Sequence, residues 1–442
     1  MNATPRLRRL ANGAAARHHR PMPSQPPGLG LDFGTTNTAL GFADPQGTIE
    51  LLPLPDGQGG LTNTWRTVLF FEEGQPPAAG APAIQRFVDT EGEGRLVQSI
   101  KSHLASASFK RTFIMGRPLT LEDLIAQYLR ALRAGAPQPL GSRVVVGRPV
   151  RYWGAEDEAD ESRALARMQA ALAAAGFDEV VFEFEPVAAA KRYAARLDHE
   201  ELIVVADFGG GTSDFSLLRV GPGATHDPKS ALLGTAGLGL GGDSFDARLI
   251  DAAVSPELGL GTSYRDEFGR PTPVPAALFG KLRRWHYLSF LKEPTTLRLL
   301  DRIEQGTDVP QKIQRLQSLV RDELGLPLHR AVERTKVSLS SSPEASFHFP
   351  SIDLTVPLRR SDFDNWISPE LDAIDGALAA MLERAGVAAK DVDAVFATGG
   401  SSLVPAVRQT LAARFGAEKL MGGEELTSVA WGLAACARQV FG

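Results

Sequence analysis

Two stretches of this sequence set an aspartate, glycines and threonines in the same order. The first is Asp32-Phe33-Gly34-Thr35-Thr36-Asn37, and the second is Asp207-Phe208-Gly209-Gly210-Gly211-Thr212-Ser213-Asp214. Glycine lets a backbone approach a phosphate with no Cβ in the way. Successive backbone N–H groups can then cradle an anion, and Thr35 and Thr36 add hydroxyl donors. Asp32 stands where a carboxylate could orient water bound to Mg2+. Taken alone, the first stretch reads equally well as an ordinary hairpin. The second is harder to read that way, because three successive glycines are costly in chain entropy and a plain turn rarely uses them. Two such loops in one chain make a clamp for a polyphosphate, one loop from each lobe.

Two further glycine sites fit the same ligand. Gly241-Gly242-Asp243 follows an apolar turn region, and Thr398-Gly399-Gly400-Ser401 ends a strand where a nucleoside could lie against bare backbone. Each alone is more often a structural turn, and it is their company that makes them candidate ligand contacts.

The elements that must position these loops can be read from periodicity. Gly28 to Leu40 reads as strand, glycine turn and return strand, with Leu29, Leu31 and Phe33 alternating around Asp32. Glu201 to Leu218 repeats that unit, and such internal duplication weighs more than either copy. Between the copies, apolar spacing predicts a helix over 119–133, a buried strand from Arg143 stopped by Pro149, and an alanine-rich helix over 160–175 ended by Gly176. A strand over 180–184 and a helix over 186–196 follow. Residues 53–116 are irregular and punctuated by proline and glycine, which suits a small inserted subdomain. Residues from about 246 to 326 are charged, broken by prolines and helical in pattern, which suits a second, mostly helical insertion. A strand over 392–397 and a closing helix over 427–440 complete the pattern.

Composition sets the outer bounds. At 442 residues the chain exceeds what one core comfortably fills, so two or more lobes are expected. The net charge of −5 argues against a nucleic-acid binder, which usually carries a basic face. The longest apolar runs are strand-sized, far below the roughly 20 residues of a membrane-spanning helix. Cys436 is the only cysteine, which excludes an intramolecular disulfide or a cysteine-cluster metal site and fits a reducing cytoplasm. Residues 1–28 carry five arginines, no acid and a proline-rich end, without the apolar centre of a secretory signal. A transit peptide is one reading of such a start, and a disordered basic tail or an overextended start is the plainer one.

At this point the motifs carry a family resemblance. Gly30 to Thr38 resembles the first phosphate motif of the DnaK-type chaperones, the heat shock protein 70 family, and Val205 to Leu218 resembles the second. Glu185-Pro186-Val187-Ala188-Ala189-Ala190 is similar to the connector of that family. The stretch 235–246, with Gly241 and Gly242, is similar to the loop after its second phosphate motif. Val332 to Ser340 is similar to its adenosine-side helix, and Thr398 to Pro405 to its adenosine glycine motif. The motifs occur in family order from Gly28 to nearly the last residue.

The resemblance implies an α/β, actin-like ATPase fold with ribonuclease H-like duplicated lobes and two inserted subdomains. Lobe I is expected over 29–199 with its insertion at about 53–116, lobe II over 200–420 with its insertion at about 245–365, and a closing helix over 421–442 returning to lobe I. It further implies ATP or ADP with Mg2+ as ligands. Asp32, Asp207 and Lys101 would surround the Mg-phosphate centre, with the two aspartates holding the metal through water. Glu185 would orient the attacking water, and Thr212 and Asp214 would assist at the phosphate. Gly34, Thr35, Thr36, Asn37, Gly209, Gly210 and Gly211 would line the phosphates, and Gly241 and Gly242 would contact the same ligand. Glu333, Lys336, Ser340, Gly399, Gly400 and Ser401 would contact the nucleoside.

Two positions depart from the family pattern. The arginine that packs on adenine aligns with Leu403, and a second basic position aligns with Val337. No counterpart of the family's interdomain linker and β-sandwich substrate domain follows Gly442, so the resemblance is to a short bacterial member. The implied function is a slowly hydrolysing, chaperone-related ATPase with nucleotide-controlled lobe closure. Its partners would be nucleotide and, beyond that, unfolded proteins or co-chaperones. Neither nucleic acid nor membrane is expected, and the oligomeric state is not readable. A metabolite kinase or phosphatase and a filament-forming relative are other readings of the same fold. The kinase would need a base at an acceptor hydroxyl, and no separate aspartate stands in such a context.

Overall fold

The computed structural model describes residues 28–44, 46–57, 59–90, 93–222, 231–284, 288, 291–421 and 428–442. The tail expected over 1–28 therefore lies outside the described residues up to 27, while Gly28 is the buried first residue of a strand. The start of the closing helix at Thr427 also lies outside them.

The elements that position the site are few. In the first half they are strands β1 (Gly28–Phe33) and β2 (Asn37–Ala43), helix α1 (Leu121–Gly135), strand β3 (Arg143–Arg148), helix α2 (Glu158–Ala174), strand β4 (Glu179–Phe184) and helix α3 (Glu185–Ala194). In the second half they are strands β5 (Glu201–Phe208), β6 (Ser213–Val220) and β7 (Leu232–Leu238), helix α4 (Gly242–Leu249), helix α5 (Gly325–Ser341), strand β8 (Ala394–Thr398) and helix α6 (Ser428–Phe441).

The duplication seen in the sequence is a duplication of sheet topology. In the first sheet the order is β4-β3-β1-β2 followed by Ile49–Leu51, and in the second it is Leu420–Met421, β8, β5, β6, β7. Each sheet has a three-stranded antiparallel meander (β1 with β2 and Ile49–Leu51; β5 with β6 and β7). In each, the first strand of the meander also carries a parallel neighbour (β3 beside β1; β8 beside β5), itself paired in parallel with an outer strand.

Strand pleat then decides where the two aspartates go. Leu29, Leu31 and Phe33 enter the core of the first lobe, while Val204, Ala206 and Phe208 enter that of the second. Successive side chains alternate faces, so Asp32 and Asp207 lie on the opposite faces of their strands. On that face Ile203 and Val205 join a third core with α3 (Ala188, Ala189, Ala190) and α6 (Leu433, Cys436, Ala437), packed between the sheets. Gly28 and Gly30 occupy that face of β1 because α6 runs across it. A Cβ on Gly30 would fall among the backbone atoms of Leu433 and Ala434. Gly432 of α6 meets α3 the same way, with the Ala188 carbonyl where its Cβ would be. Bare backbone lets two helices and two sheets converge on one line, and both aspartates end beside it.

Helix ends match their sequence signals. Thr120 and Asp123 close a capping box on α1, Asp157 caps α2, and Gly176 after α2 has φ of +87°. One expectation needs correction. The 53–116 segment is more regular than its composition suggested: it holds a ten-residue helix, Gly80–Asp89, and a three-stranded sheet centred on Val68–Phe71. Gly80, with φ of +65°, begins the helix against the Trp65 indole, a tertiary contact that local composition does not display. The second insertion, expected to be mostly helical, joins its helices to the hairpins Ser263–Arg265/Pro271–Pro273 and Glu344–Phe349/Leu354–Arg359. Prolines are tolerated in Pro271–Pro273 because it is the outer strand of a two-stranded ribbon whose other strand bridges Thr307 at Tyr264.

Candidate functional site

Lys101 comes from a short 3-10 turn, Ile100–His103, held down by Ile100 in the core of the first lobe. Glu185 opens α3 beside Pro186, a residue pre-set for the first helical turn. The two side chains meet across 84 positions of sequence: Lys101 Nζ donates to Glu185 Oε1 at 2.6 Å, and only 11% and 14% of their side chains are exposed. Gly147 of β3 makes the room, because a Cβ there would sit 3.0 Å from Glu185 Cγ.

From the second lobe, Asp207 closes β5, and Thr398 at the end of β8 donates its hydroxyl to Asp207 Oδ1 at 2.8 Å. The paired loops touch. A Cβ on Gly210 would meet the Thr36 hydroxyl of the first loop and approach Asp243 Oδ1 at 3.4 Å. The Gly209–Thr212 turn closes through Gly209 N to the Thr212 carbonyl at 2.9 Å. Gly242 N and Asp243 N donate to the carbonyls of Gly209 and Gly210, at 3.0 and 2.7 Å, which ties the start of α4 to the loop. Gly399, with φ of +79°, lies against the Phe208 carbonyl, where no Cβ fits. Gly34 is likewise pressed on the Asn37 carbonyl, whereas Gly211 faces open space. The glycines expected to line a phosphate are thus assembled in one place, and one of them is bare toward the gap.

The electrostatics of this place are unbalanced. Asp32, Glu185, Asp207 and Asp214 surround a single ammonium. Burial, then repulsion from Glu185, pushes the Asp32 carboxyl up to about 8 against the pull of Lys101. Burial and the neighbouring Asp207 and Glu185 push Asp214 up to about 7. Asp207 is raised by burial and Glu185, with the Thr398 hydrogen bond opposing. Burial pulls the Lys101 ammonium down, but Glu185 and Asp32 attract it more strongly and the net direction is up. A cluster of buried carboxylates that repel one another is a cluster short of positive charge.

At the other end, Lys336 of α5 is held by Asp246 of α4 at 2.8 Å and donates to the Gly242 carbonyl at 3.3 Å. Burial raises Asp246 to about 6 while Lys336 restrains it. A Cβ on Gly242 would meet Ser401 Oγ at 2.6 Å, so Lys336, Gly242 and Ser401 share one corner. Ser340 turns its hydroxyl onto its own helix, donating to the Lys336 carbonyl at 2.9 Å. Glu333 faces the first lobe, where Arg66 reaches it at 3.2 Å. A cavity of about 450 Å³ runs along this face of α5, lined by Arg330, Glu333, Arg334, Val337 and Ser338.

Several residues of this site were not singled out by sequence. Thr398 lay inside a recognised glycine motif, yet its role as partner of Asp207 depends on the pairing of β8 with β5. Tyr152 is buried beside Lys101 and Glu185, with its phenol pushed up to about 12 by burial. Arg66 and Asp246 reach their partners across 267 and 90 positions of sequence, and no local signal marks either. Among the described residues no three His, Cys, Asp or Glu side chains gather as direct ligands of one metal ion, and no helix is long and apolar enough to cross a membrane.

Two sheets of repeated topology, facing each other across two helices with an Asp-glycine loop at the corresponding edge of each, define the actin-like ATPase fold. The family described as Hsp70 protein matches residues 90–257 and 310–441. The chain belongs to the Hsp70 family. It is 25% identical over 403 residues to the "Chaperone protein DnaK" of Thermosipho melanesiensis and 26% identical over 404 residues to that of Thermotoga maritima. Each of these alignments covers 88% of this chain and 55% of the relative. The protein of the same description from Thermosipho africanus is 25% identical over 419 residues, covering 92% and 58%. The chain therefore spans about half the length of the curated relatives it matches.

Proposed function

We propose that this chain binds Mg-ATP between its two glycine loops and hydrolyses it slowly, the bound nucleotide holding the lobes closed. The observation that carries the reading is the meeting of Lys101–Glu185 from the first lobe with Asp207–Thr398 from the second, beside loops that touch at Thr36 and Gly210. The pocket suits a magnesium polyphosphate. Its surplus of buried carboxylates calls for a cation, and the lack of a direct three-carboxylate cage among the described residues suits an ion that keeps its waters. Asp32 and Asp207 would hold Mg2+ through water, and the ion supplies neutralising charge on the phosphate oxygens.

The residues then divide the work. Lys101 offers a fixed ammonium where charge develops during phosphoryl transfer. Glu185, pinned by that ammonium, accepts a hydrogen bond from the attacking water and sets its direction. Thr212 and Asp214 would flank the phosphate, and backbone N–H groups of the two glycine loops would face its oxygens, except that of Gly209, which is bonded to the Thr212 carbonyl. Glu333, Lys336, Ser340, Gly241, Gly242, Gly399, Gly400 and Ser401 line the nucleoside end. A ligand gripped from both sides favours the closed arrangement by its differential affinity for it. Family membership and the likeness to chaperone proteins support a chaperone-related role in the cytoplasm, with unfolded proteins or co-chaperones as partners.

Calorimetric titration of Mg-ATP and single-turnover phosphate release test the reading. Binding in the micromolar range is expected with slow hydrolysis, and Asp207→Asn should keep binding while losing most turnover. An absence of binding up to millimolar Mg-ATP would overturn it.

A further inference from the structure

The hairpin Thr112–Ile114/Arg117–Leu119 pairs with no other strand among the described residues. Its register sets Phe113 opposite Pro118 and Ile114 opposite Arg117, with Met115 and Gly116 as the two-residue turn. Ile114 is buried in the core of the first lobe and Leu119 packs against it, so the inner face is anchored. Side chains alternate along a strand, and cross-strand partners share a face, so Phe113 and Pro118 lie together on the outer face. Phe113 is 68% exposed, Met115 at the tip is 44% exposed, and Pro118 is exposed as well.

Met115 stands against its own backbone. Met115 and Gly116 both have positive φ, +48° and +74°, a pair of conformations that asparagine or aspartate followed by glycine ordinarily fills. A hairpin that only reversed the chain would take that pair and carry polar residues on its outer face. Here a long apolar side chain is held in the left-handed region, uncovered, at the end of a strand that presents an uncovered phenyl ring.

The charge of the hairpin is one-sided. No acidic residue occurs between Glu93 and Glu122, while Arg117 lies on the second strand and Lys110 and Arg111 lead into the first. All three are exposed, and none forms an ion pair among the described residues. In a chain of net charge −5 this is a local reversal of sign. The chain's own residues 1–27 carry five arginines and no acid, the wrong charge to cover it.

The strand edge favours a polypeptide as the occupant. Ile114 and Arg117 flank a two-residue turn and form the hydrogen-bonded pair, and Pro118 has no N–H to offer Phe113. The main-chain N–H and C=O of Phe113 therefore point outward, and no further strand takes them up among the described residues. A lipid surface would hold so few apolar side chains and cations only weakly, and the net charge opposes anionic headgroups.

We propose that this hairpin docks an extended acidic segment of another protein, with apolar side chains alternating with aspartate or glutamate, added as a third strand along Thr112–Ile114. Its apolar side chains cover Phe113 and Met115, and its carboxylates meet Arg111 and Arg117.

Fluorescence polarisation on the full chain tests this with a labelled peptide that alternates glutamate with valine and leucine. Micromolar binding is expected, weakened by high salt, and the same peptide with lysine in place of glutamate should not bind. Phe113→Ser should weaken binding by about 10- to 30-fold and Arg117→Glu by about 3- to 10-fold, both leaving Mg-ATP binding unchanged. Met115→Gly separates docking from folding, because glycine accepts the positive φ: the melting temperature should not fall, while binding weakens. No binding of the acidic peptide, equal binding of the lysine peptide, full binding by Phe113→Ser, or a lower melting temperature in Met115→Gly overturns the proposal. Binding to phosphatidylserine vesicles in place of the peptide also overturns it. So does self-association in sedimentation that Phe113→Ser abolishes while the peptide stays unbound.

Discussion

The two ends of the proposed nucleotide cleft are built on opposite physics. At the phosphate end, charged groups are buried, crowded and mutually coupled. Lys101 and Glu185 are mostly withdrawn from solvent, and Asp32 and Asp214 are pushed toward neutrality by burial and by the charges of Glu185 and Asp207. At the nucleoside end, the α5 face is open, Val337 is uncovered, and the Arg66–Glu333 bridge between lobes leaves 43% and 49% of those side chains exposed. Charges in low dielectric act strongly and depend steeply on their partners, while exposed ones are screened and weak. The comparison teaches that the chemistry of this fold is concentrated where the protein is least tolerant of change. The Arg66–Glu333 contact between lobes is left where it is most tolerant.

That contrast can be broken experimentally, starting where the effect should be largest. Lys101→Ala should lower the rate of phosphate release from bound ATP by about 10² to 10³, with Mg-ATP affinity within about tenfold of the parent. A single-turnover rate within threefold would mean that the buried pair is only structural. Next comes the backbone. Gly399→Ala forces a methyl group against the Phe208 carbonyl at positive φ, and denaturant titration should show a loss of about 2–4 kcal/mol. Gly211→Ala points into open space and should stay within about 0.5 kcal/mol of the parent. Equal losses would refute the assignment of which glycines are packed and which face the ligand.

Asp32 yields a pH signature. Its carboxyl is raised from 3.8 to about 8, so the folded state holds a proton that the unfolded state has released across that interval. Without nucleotide, stability should therefore fall as pH rises from about 4 to about 8. Asp32→Asn should flatten the slope and raise the melting temperature at pH 8 by about 2–4 °C. A steeper slope in the variant would contradict the sign. The smallest effect is expected at the open end. Arg66→Ala should cost less than about 1 kcal/mol and speed nucleotide release less than about fivefold in stopped-flow displacement, and high salt should mimic it. A tenfold or larger acceleration would show that the two ends are not as different as their exposure suggests.

Much of the fold was legible because its signals are local. Alternation around Asp32 and Asp207 marked two strands, the triple glycine marked a turn, and Gly176 and Pro149 marked element ends, all within a residue or two of the observed boundaries. The insertions were less legible. The Gly80–Asp89 helix begins at a glycine packed on Trp65, and two hairpins in the second insertion break up what periodicity read as mostly helical. Within the site, the loop residues could be named from their order, but their partners could not. Thr398, Tyr152, Asp246 and Arg66 enter through contacts that span tens to hundreds of positions.

What the sequence determined by itself is the pair of Asp-glycine units and the family they belong to, because backbone demands at a phosphate loop are met by specific residues at fixed spacing. Tertiary structure alone decided that Gly28 and Gly30 make way for α6 and Gly432 for α3, that Lys101 meets Glu185, and that one ammonium faces four carboxylates. Burial and electrostatic coupling are properties of distance in space. No local pattern of residues carries them until both sheets and both helices are in place.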